Sequence, residues 1–385
     1  MTNILFLPFL LSIYFLGLVT AHSNHVSTDL FNSLEELSRI VDISYCVGTT
    51  GVQQPFQCLS HCTEFPDLEL ITTWNTGILL SDSCGYVALS HSPSPKRILI
   101  AFRGTYSLTN TIIDLSALPQ SYIPYNPNTT KCENCTVHAG FMNSWRNTRK
   151  AILPHVSAAR AKYPDYEVAL VGHSLGGAVA ALAGLEMQLK GWDPVVTTFG
   201  EPMVGNEEFA KFINQQFGFD NVTIPPFEGG RFRRVTHVDD PVPLLPLREW
   251  GYRAHSGEIF ISRSELPPRK EDLRLCAGDY DPMCIARSES EPLLREMYRE
   301  MNVPLGLAAS GEDCRSEGES GSGEQAVLGR GRDSGCEMAR EERLRPLRWD
   351  WSLIPARYRL WELFYAHRDY FWRIGLCVPG GDPTG

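Results

Sequence analysis

The chemistry this sequence offers lies in a few side chains far apart along it. Ser174 sits in Gly172-His-Ser-Leu-Gly176, a G-x-S-x-G run. A serine hydroxyl is a weak nucleophile until a base removes its proton. Histidine is the natural base near neutral pH, and a carboxylate beside it fixes its tautomer and stabilises its charged form. Asp239 and Asp240 are the acid candidates, and Asp240 is favoured because Pro241 pins its turn. Two histidines follow, His255 and His367. Serine, then acid, then histidine is the order expected when the nucleophile stands on a sharp strand-to-helix turn. Such a set performs acyl transfer through a covalent intermediate.

The elements that must position these groups are legible in the flanking residues. Val168 to Val171 is a short apolar, partly β-branched run that predicts a buried strand. Residues 177–190 are rich in Ala and Leu and predict a helix. Gly172 and Gly176 are small because strand and helix cross closely there, and Gly177 widens the clearance. The N-terminus of that helix lies under Ser174, so its free N–H groups face any oxyanion that forms. An earlier strand, 97–102, runs into Arg103-Gly-Thr105, where Thr105 offers a second oxyanion donor. Strand 232–238 runs into Asp239 and Asp240, which puts a carboxylate on the same rim as Ser174. His255 precedes the strand at 256–262; if that strand is parallel to its neighbours, His255 starts at the far edge. His367 follows every strand and is the favoured base. His173 is read as a support for the turn.

Strands at 195–199, 232–238 and 256–262 alternate with helices at 177–190 and 207–217. That pattern predicts an α/β fold with a mostly parallel central sheet and helices on both faces. Strand-like stretches at 68–74 and 85–91 precede it, and residues 28–44 form an amphipathic helix. Residues 136–141 read as strand and turn, and 143–162 as a helix ended by Tyr163-Pro164. Residues 106–116 form a short amphipathic segment, either a mobile lid or a fixed surface helix. From about 287 to 345 the chain is polar and Gly-rich without periodicity, which reads as a disordered insertion. The segment 354–371 is again amphipathic and aromatic.

Composition bounds the setting. Hydrophobic content of 43% supports a substantial core, and a formal charge of −10 with no basic stripe argues against a nucleic-acid partner. Residues 1–21 are an apolar leader ending in small residues, read as a signal peptide rather than an uncleaved anchor, although no Lys or Arg precedes the apolar core. Eleven cysteines and the sequons at Asn128, Asn134 and Asn221 agree with export. Residues 22–385 are then one domain. Cys46, Cys58 and Cys62, and the C-x-x-C at 132–135, are read as disulfide cysteines rather than metal or redox sites. No cofactor or metal is expected.

With these residues in hand the chain resembles the secreted fungal triacylglycerol lipases of class 3. The resemblance rests on Phe102-Arg-Gly-Thr105, Val137-His-Ala-Gly-Phe141, the elbow at 172–177, Phe199-Gly-Glu-Pro-Met-Val-Gly-Asn206, residues 234–243, and His367-Arg-Asp-Tyr-Phe-Trp-Arg-Ile-Gly-Leu-Cys377. It implies an α/β-hydrolase fold, Ser174 as nucleophile, Asp240 as acid and His367 as base. It also implies oxyanion donors at Thr105 and Leu175 and a lid at about 106–116. The expected partner is a lipid or ester substrate at a lipid–water interface, met by a monomer with peripheral membrane contact. The bridges it implies are Cys46–Cys377, Cys58–Cys62 and Cys276–Cys284, with Cys132–Cys135 as a further pair and Cys84 alone. Two departures are Thr111, where some relatives carry a lid Trp, and the long insertion between acid and base. A soluble-ester or feruloyl esterase, a phospholipase and a non-catalytic lipid-binding fold are the alternatives.

Overall fold

The computed structural model describes residues 25–77, 83–105, 119–125, 130–219, 229–287 and 365–378. The leader, the lid segment, the sequons at Asn128 and Asn221 and nearly all of the insertion lie outside these residues. In chain order the strands are β1 (Leu68–Asn75), β2 (Cys84–Ser90), β3 (Arg97–Arg103), β4 (Pro119–Ser121), β5 (Thr136–His138), β6 (Glu167–His173), β7 (Val195–Phe199), β8 (Gly205–Asn206), β9 (Phe232–His237), β10 (Tyr252–Arg253), β11 (Glu258–Ile261) and β12 (Leu273–Leu275).

Eight of them form one sheet in the order β1-β2-β3-β6-β7-β9-β11-β12. The run from β3 to β11 is parallel throughout, while β1, β2 and β12 pair antiparallel at its flanks. The parallel strands therefore end on one edge. Their exits carry Gly104 and Thr105 after β3, Ser174 after β6, Gly200 and Glu201 after β7, and Asp239 and Asp240 after β9.

Both faces are covered, as the alternation of strands and helices predicts. In β3, Ile98, Ile100 and Phe102 pack with the helices Ala139–Lys162 and Leu175–Leu189, while Leu99 and Ala101 pack with the N-terminal helix Thr28–Ile43. Period-two side chains thus feed two cores from one continuous apolar strand. The elbow helix is buried almost all round, which suits a run built from Ala and Leu.

The closing segment returns to the face of the N-terminal helix. Cys377 is bridged to Cys46, Trp372 Nε1 donates to Glu35 at 2.8 Å, and the Gly375 N–H donates to the buried Asp42 at 2.7 Å. Helix Thr28–Ile43 is thus more than packing: it anchors the segment that carries His367. The other bridges are Cys58–Cys62, Cys132–Cys135 and Cys276–Cys284, and Cys84 is a free, buried thiol. Glu258 lies close to Cys276 and Cys284, but their sulfurs are joined to each other, so the grouping is not a ligand set.

Two details differ from the sequence reading. The helix read as 143–162 begins at Ala139, directly after β5, because the imidazole of His138 caps it through the Phe141 N–H. A second, four-stranded sheet of very short strands, β10-β8-β5-β4, adjoins the first.

Candidate active site

Ser174 occupies a backbone conformation that few L-residues adopt, φ 59° and ψ −131°, directly between β6 and the helix that starts at Leu175. Such strain is kept where it places a side chain. Two glycines make the turn possible. A Cβ on Gly172 would lie 2.3 Å from the Gly176 carbonyl oxygen, and one on Gly176 would lie 2.4 Å from that of Phe102. The second contact is with the end of β3, so three elements meet under the serine rather than two. The Ser174 N–H donates to the Phe199 carbonyl at 2.9 Å, which ties the turn to β7. Leu175 is the first helical residue, so its N–H has no carbonyl within the helix to bond. Gly104, next to Thr105, abuts the serine: a Cβ there would lie 2.8 Å from Ser174 Cβ.

The acid and base candidates meet without a gap. His367 Nδ1 is 2.9 Å from both carboxylate oxygens of Asp240, and both residues are fully buried. A carboxylate only accepts, so Nδ1 holds the proton and the Nε2 lone pair is left for chemistry. Asp240 also accepts from the Tyr370 hydroxyl and, at 2.9 Å, from the Val242 N–H. Burial and the neighbouring carboxylate hold the Tyr370 phenol well above its usual range, so it stays a donor. Gly200, at φ 60°, lies against this cluster: a Cβ there would lie 2.7 Å from His367 Cε1 and 2.8 Å from Asp240 Oδ2.

Two atoms of the candidate set are left over. Ser174 Oγ and His367 Nε2 are buried and have no hydrogen-bond partner among the described residues. They are the two atoms between which a proton would pass in serine catalysis.

His173 supports the turn, as its position in the elbow predicts. Its ring stacks on His367 with centroids 4.6 Å apart. Its Nε2 lies 2.8 Å from the His367 carbonyl oxygen, so Nε2 carries the proton and Nδ1 accepts from the Tyr45 hydroxyl. Burial, with His367 next in effect, holds His173 well below the usual imidazole range, so it stays neutral. Tyr45 in turn accepts from the Gly104 N–H at 3.1 Å. A chain of hydrogen bonds therefore links the loop before Thr105 to the backbone of His367.

The other candidates lie apart from this cluster. Asp239 is half-buried, its N–H aimed at His237. β11 is parallel to β9, so His255 lies ahead of that strand's start, and its Nε2 pairs with the buried Glu201 at 3.0 Å rather than with Asp240. Tyr45, Tyr370, Gly200 and the Glu201–His255 pair were not reached from sequence. Tyr370 was within reach: it lies three residues after His367 in the closing motif.

The family model described as lipase (class 3) matches residues 99–250. "Lipase A" of Sodiomyces alcalophilus is 50% identical to this chain over 93% of it and 85% of that protein. "Secreted mono- and diacylglycerol lipase 2" of Gibberella zeae is 46% identical over the same shares. Among solved structures, the Lip2 lipase of Yarrowia lipolytica is similar at a TM-score of 0.64 and 34% identity, covering 70% of this chain and 91% of that one.

Proposed function

This chain belongs to the class 3 lipase family and is a carboxylic-ester hydrolase of the α/β-hydrolase fold; from that premise we propose that Ser174, Asp240 and His367 carry out the hydrolysis. His367 Nε2 takes the proton as Ser174 Oγ attacks the ester carbonyl. Asp240 holds the ring and stabilises the imidazolium, and the N–H groups of Thr105 and Leu175 receive the oxyanion. His367 then returns the proton to the leaving alcohol, and water attacks the acyl-enzyme by the same route in reverse roles. One lost oxyanion donor would cost about 3–4 kcal/mol of barrier.

The observation that carries the assignment is the His367–Asp240 contact together with two buried, unpartnered atoms, Ser174 Oγ and His367 Nε2. Labelling by a fluorophosphonate tests it. Wild type should label on Ser174 and lose activity in step, and Ser174→Ala should do neither while staying folded. Label on another serine, or retained turnover in the variant, would sink the assignment.

The substrates we propose are acylglycerols met at a lipid–water interface. Triacylglycerols follow from the motifs in the sequence; mono- and diacylglycerols are the second reading, favoured by the name of the Gibberella zeae relative. Rates on tri-, di- and monoacylglycerols of one acyl chain, below and above solubility, separate the two. The enzyme is proposed to work outside the cell as a monomer, with residues 22–385 as one catalytic domain. Four disulfides and the relative named as secreted support the location.

A further inference from the structure

We propose that Asn134 carries an N-linked glycan and that the groove beside it holds the innermost sugar, an N-acetylhexosamine. Asn134 opens the sequon Asn134-Cys-Thr136. It is exposed and sits at φ 57° in the turn closed by the Cys132–Cys135 bridge. Asparagine is one of the few residues that tolerate this left-handed conformation. The acceptor is therefore presented on a stapled turn.

One side chain grips both ends of the sequon. Asn206 Nδ2 donates to the Asn134 carbonyl at 2.8 Å, and Asn206 Oδ1 accepts from the Thr136 N–H at 3.0 Å. Asn206 and Thr136 in turn line an open groove of about 360 Å³ with Pro119, Trp250, Tyr252 and Arg253. That volume falls at the small end of the roughly 300–1,000 Å³ typical of small-molecule sites. The groove belongs to the small sheet and contains none of the triad residues.

Its chemistry matches a pyranose better than an acyl chain. A hexosamine has one C–H face, equatorial hydroxyls and an acetamide. The walls offer an indole ring, an amide, a guanidinium and the carboxylates of Glu207 and Glu208. Several of these groups are held in place by partners within the protein, Glu207 by Lys211, Glu208 by Asn206 and Arg253 by the Arg248 carbonyl, so the wall they form is fixed and polar rather than apolar.

The modification needs a lipid-diphosphate-linked oligosaccharide as donor. The Asn134 amide nitrogen displaces the diphosphate from the anomeric carbon. The C–O bond to diphosphate breaks, the C–N bond forms, one amide proton is released, and the lipid diphosphate leaves. The proposal rests on the export reading, because that chemistry belongs to the secretory route.

The test uses the full chain expressed in a fungal host. Protein from medium and from cells is treated with peptide N-glycosidase in ¹⁸O-water, reduced and digested, and the peptide spanning residue 134 is weighed. The expected result is ¹⁸O-labelled Asp at 134, lost in Thr136→Ala. An unmodified Asn134 in secreted protein overturns the proposal and leaves export standing; an unmodified Asn134 in protein found only inside cells overturns both. For the groove, acrylamide quenching of tryptophan fluorescence compares protein trimmed by endoglycosidase H, which keeps one N-acetylglucosamine, with Thr136→Ala. Quenching should be weaker in the trimmed protein, and the difference should vanish when both carry Trp250→Phe. Equal quenching of trimmed protein and Thr136→Ala would overturn the groove assignment.

Discussion

Among the described residues two buried histidines, His367 and His255, meet a buried carboxylate within 3.0 Å, and the difference between these two pairs is that between a proposed base and a support. His367 meets Asp240 at 2.9 Å and His255 meets Glu201 at 3.0 Å. By distance and burial the pairs are alike. They differ at the second ring nitrogen. His255 Nδ1 lies 2.8 Å from the Ser256 carbonyl, which consumes it, whereas His367 Nε2 has no partner among the described residues. The carboxylates differ too. Glu201 accepts from Thr198, locking the turn after β7, while Asp240 is held by a phenol and a backbone N–H at the rim where β6 delivers Ser174. A buried His–acid pair is thus no signature of a base; the reading of His367 as one needs, besides Asp240, the second ring nitrogen that this histidine keeps unbonded among the described residues.

The sharpest test of that contrast replaces each histidine. His367→Asn should lower kcat/KM by about 10⁴-fold or more. His255→Asn should keep kcat within roughly tenfold and instead lose about 3–5 kcal/mol of stability in urea unfolding, the cost of breaking a buried pair. The reverse pattern would exchange their roles. Asp240→Asn should cost about 10⁴-fold in kcat, because the amide favours the wrong tautomer at His367. Glu201→Gln should leave the pH–rate profile of wild type unchanged.

A smaller effect probes what surrounds Asp240. Tyr370→Phe removes one donor to a buried carboxylate, worth about 1.5–3 kcal/mol, so kcat should fall roughly 10- to 100-fold with KM little changed. No loss would mean the phenol only fills space.

The smallest test concerns His173. Its pKa in the folded state lies below the unfolded value of about 6.5, so the unfolded chain binds a proton that the folded one refuses. Stability from this group is present above that value and is lost as pH falls below it, by at most about 1.4 kcal/mol per pH unit. His173→Gln keeps an N–H and an acceptor but cannot titrate. Its unfolding free energy should therefore fall less steeply than that of wild type between pH 6.5 and 5. Parallel slopes would contradict a neutral, buried His173.

The central sheet was legible because buried parallel strands are short apolar runs and their helices carry a separate period. The elbow was legible because glycine is required where backbone passes within a Cβ of backbone. The preference for His367 over His255 rested on strand direction and on His367 following every strand, in a closing segment that can cross the rim. The supports were not legible. Tyr45 lies 128 residues from His173, and Tyr370 lies 130 from Asp240, so no local pattern announces either contact. The small sheet was missed because strands of two or three residues show no alternation. The start of the helix at Ala139 was missed because its cap is a histidine ring, not one of the usual short polar side chains.

The join between Cys46 and Cys377 spans nearly the whole chain. During synthesis Cys46 leaves the ribosome 331 residues ahead of its partner, which follows just behind the proposed base. A nascent polypeptide therefore carries its nucleophile long before anything can take the proton from it. On the proposed assignment, ester hydrolysis therefore waits until the closing segment has been made and joined to the start of the domain.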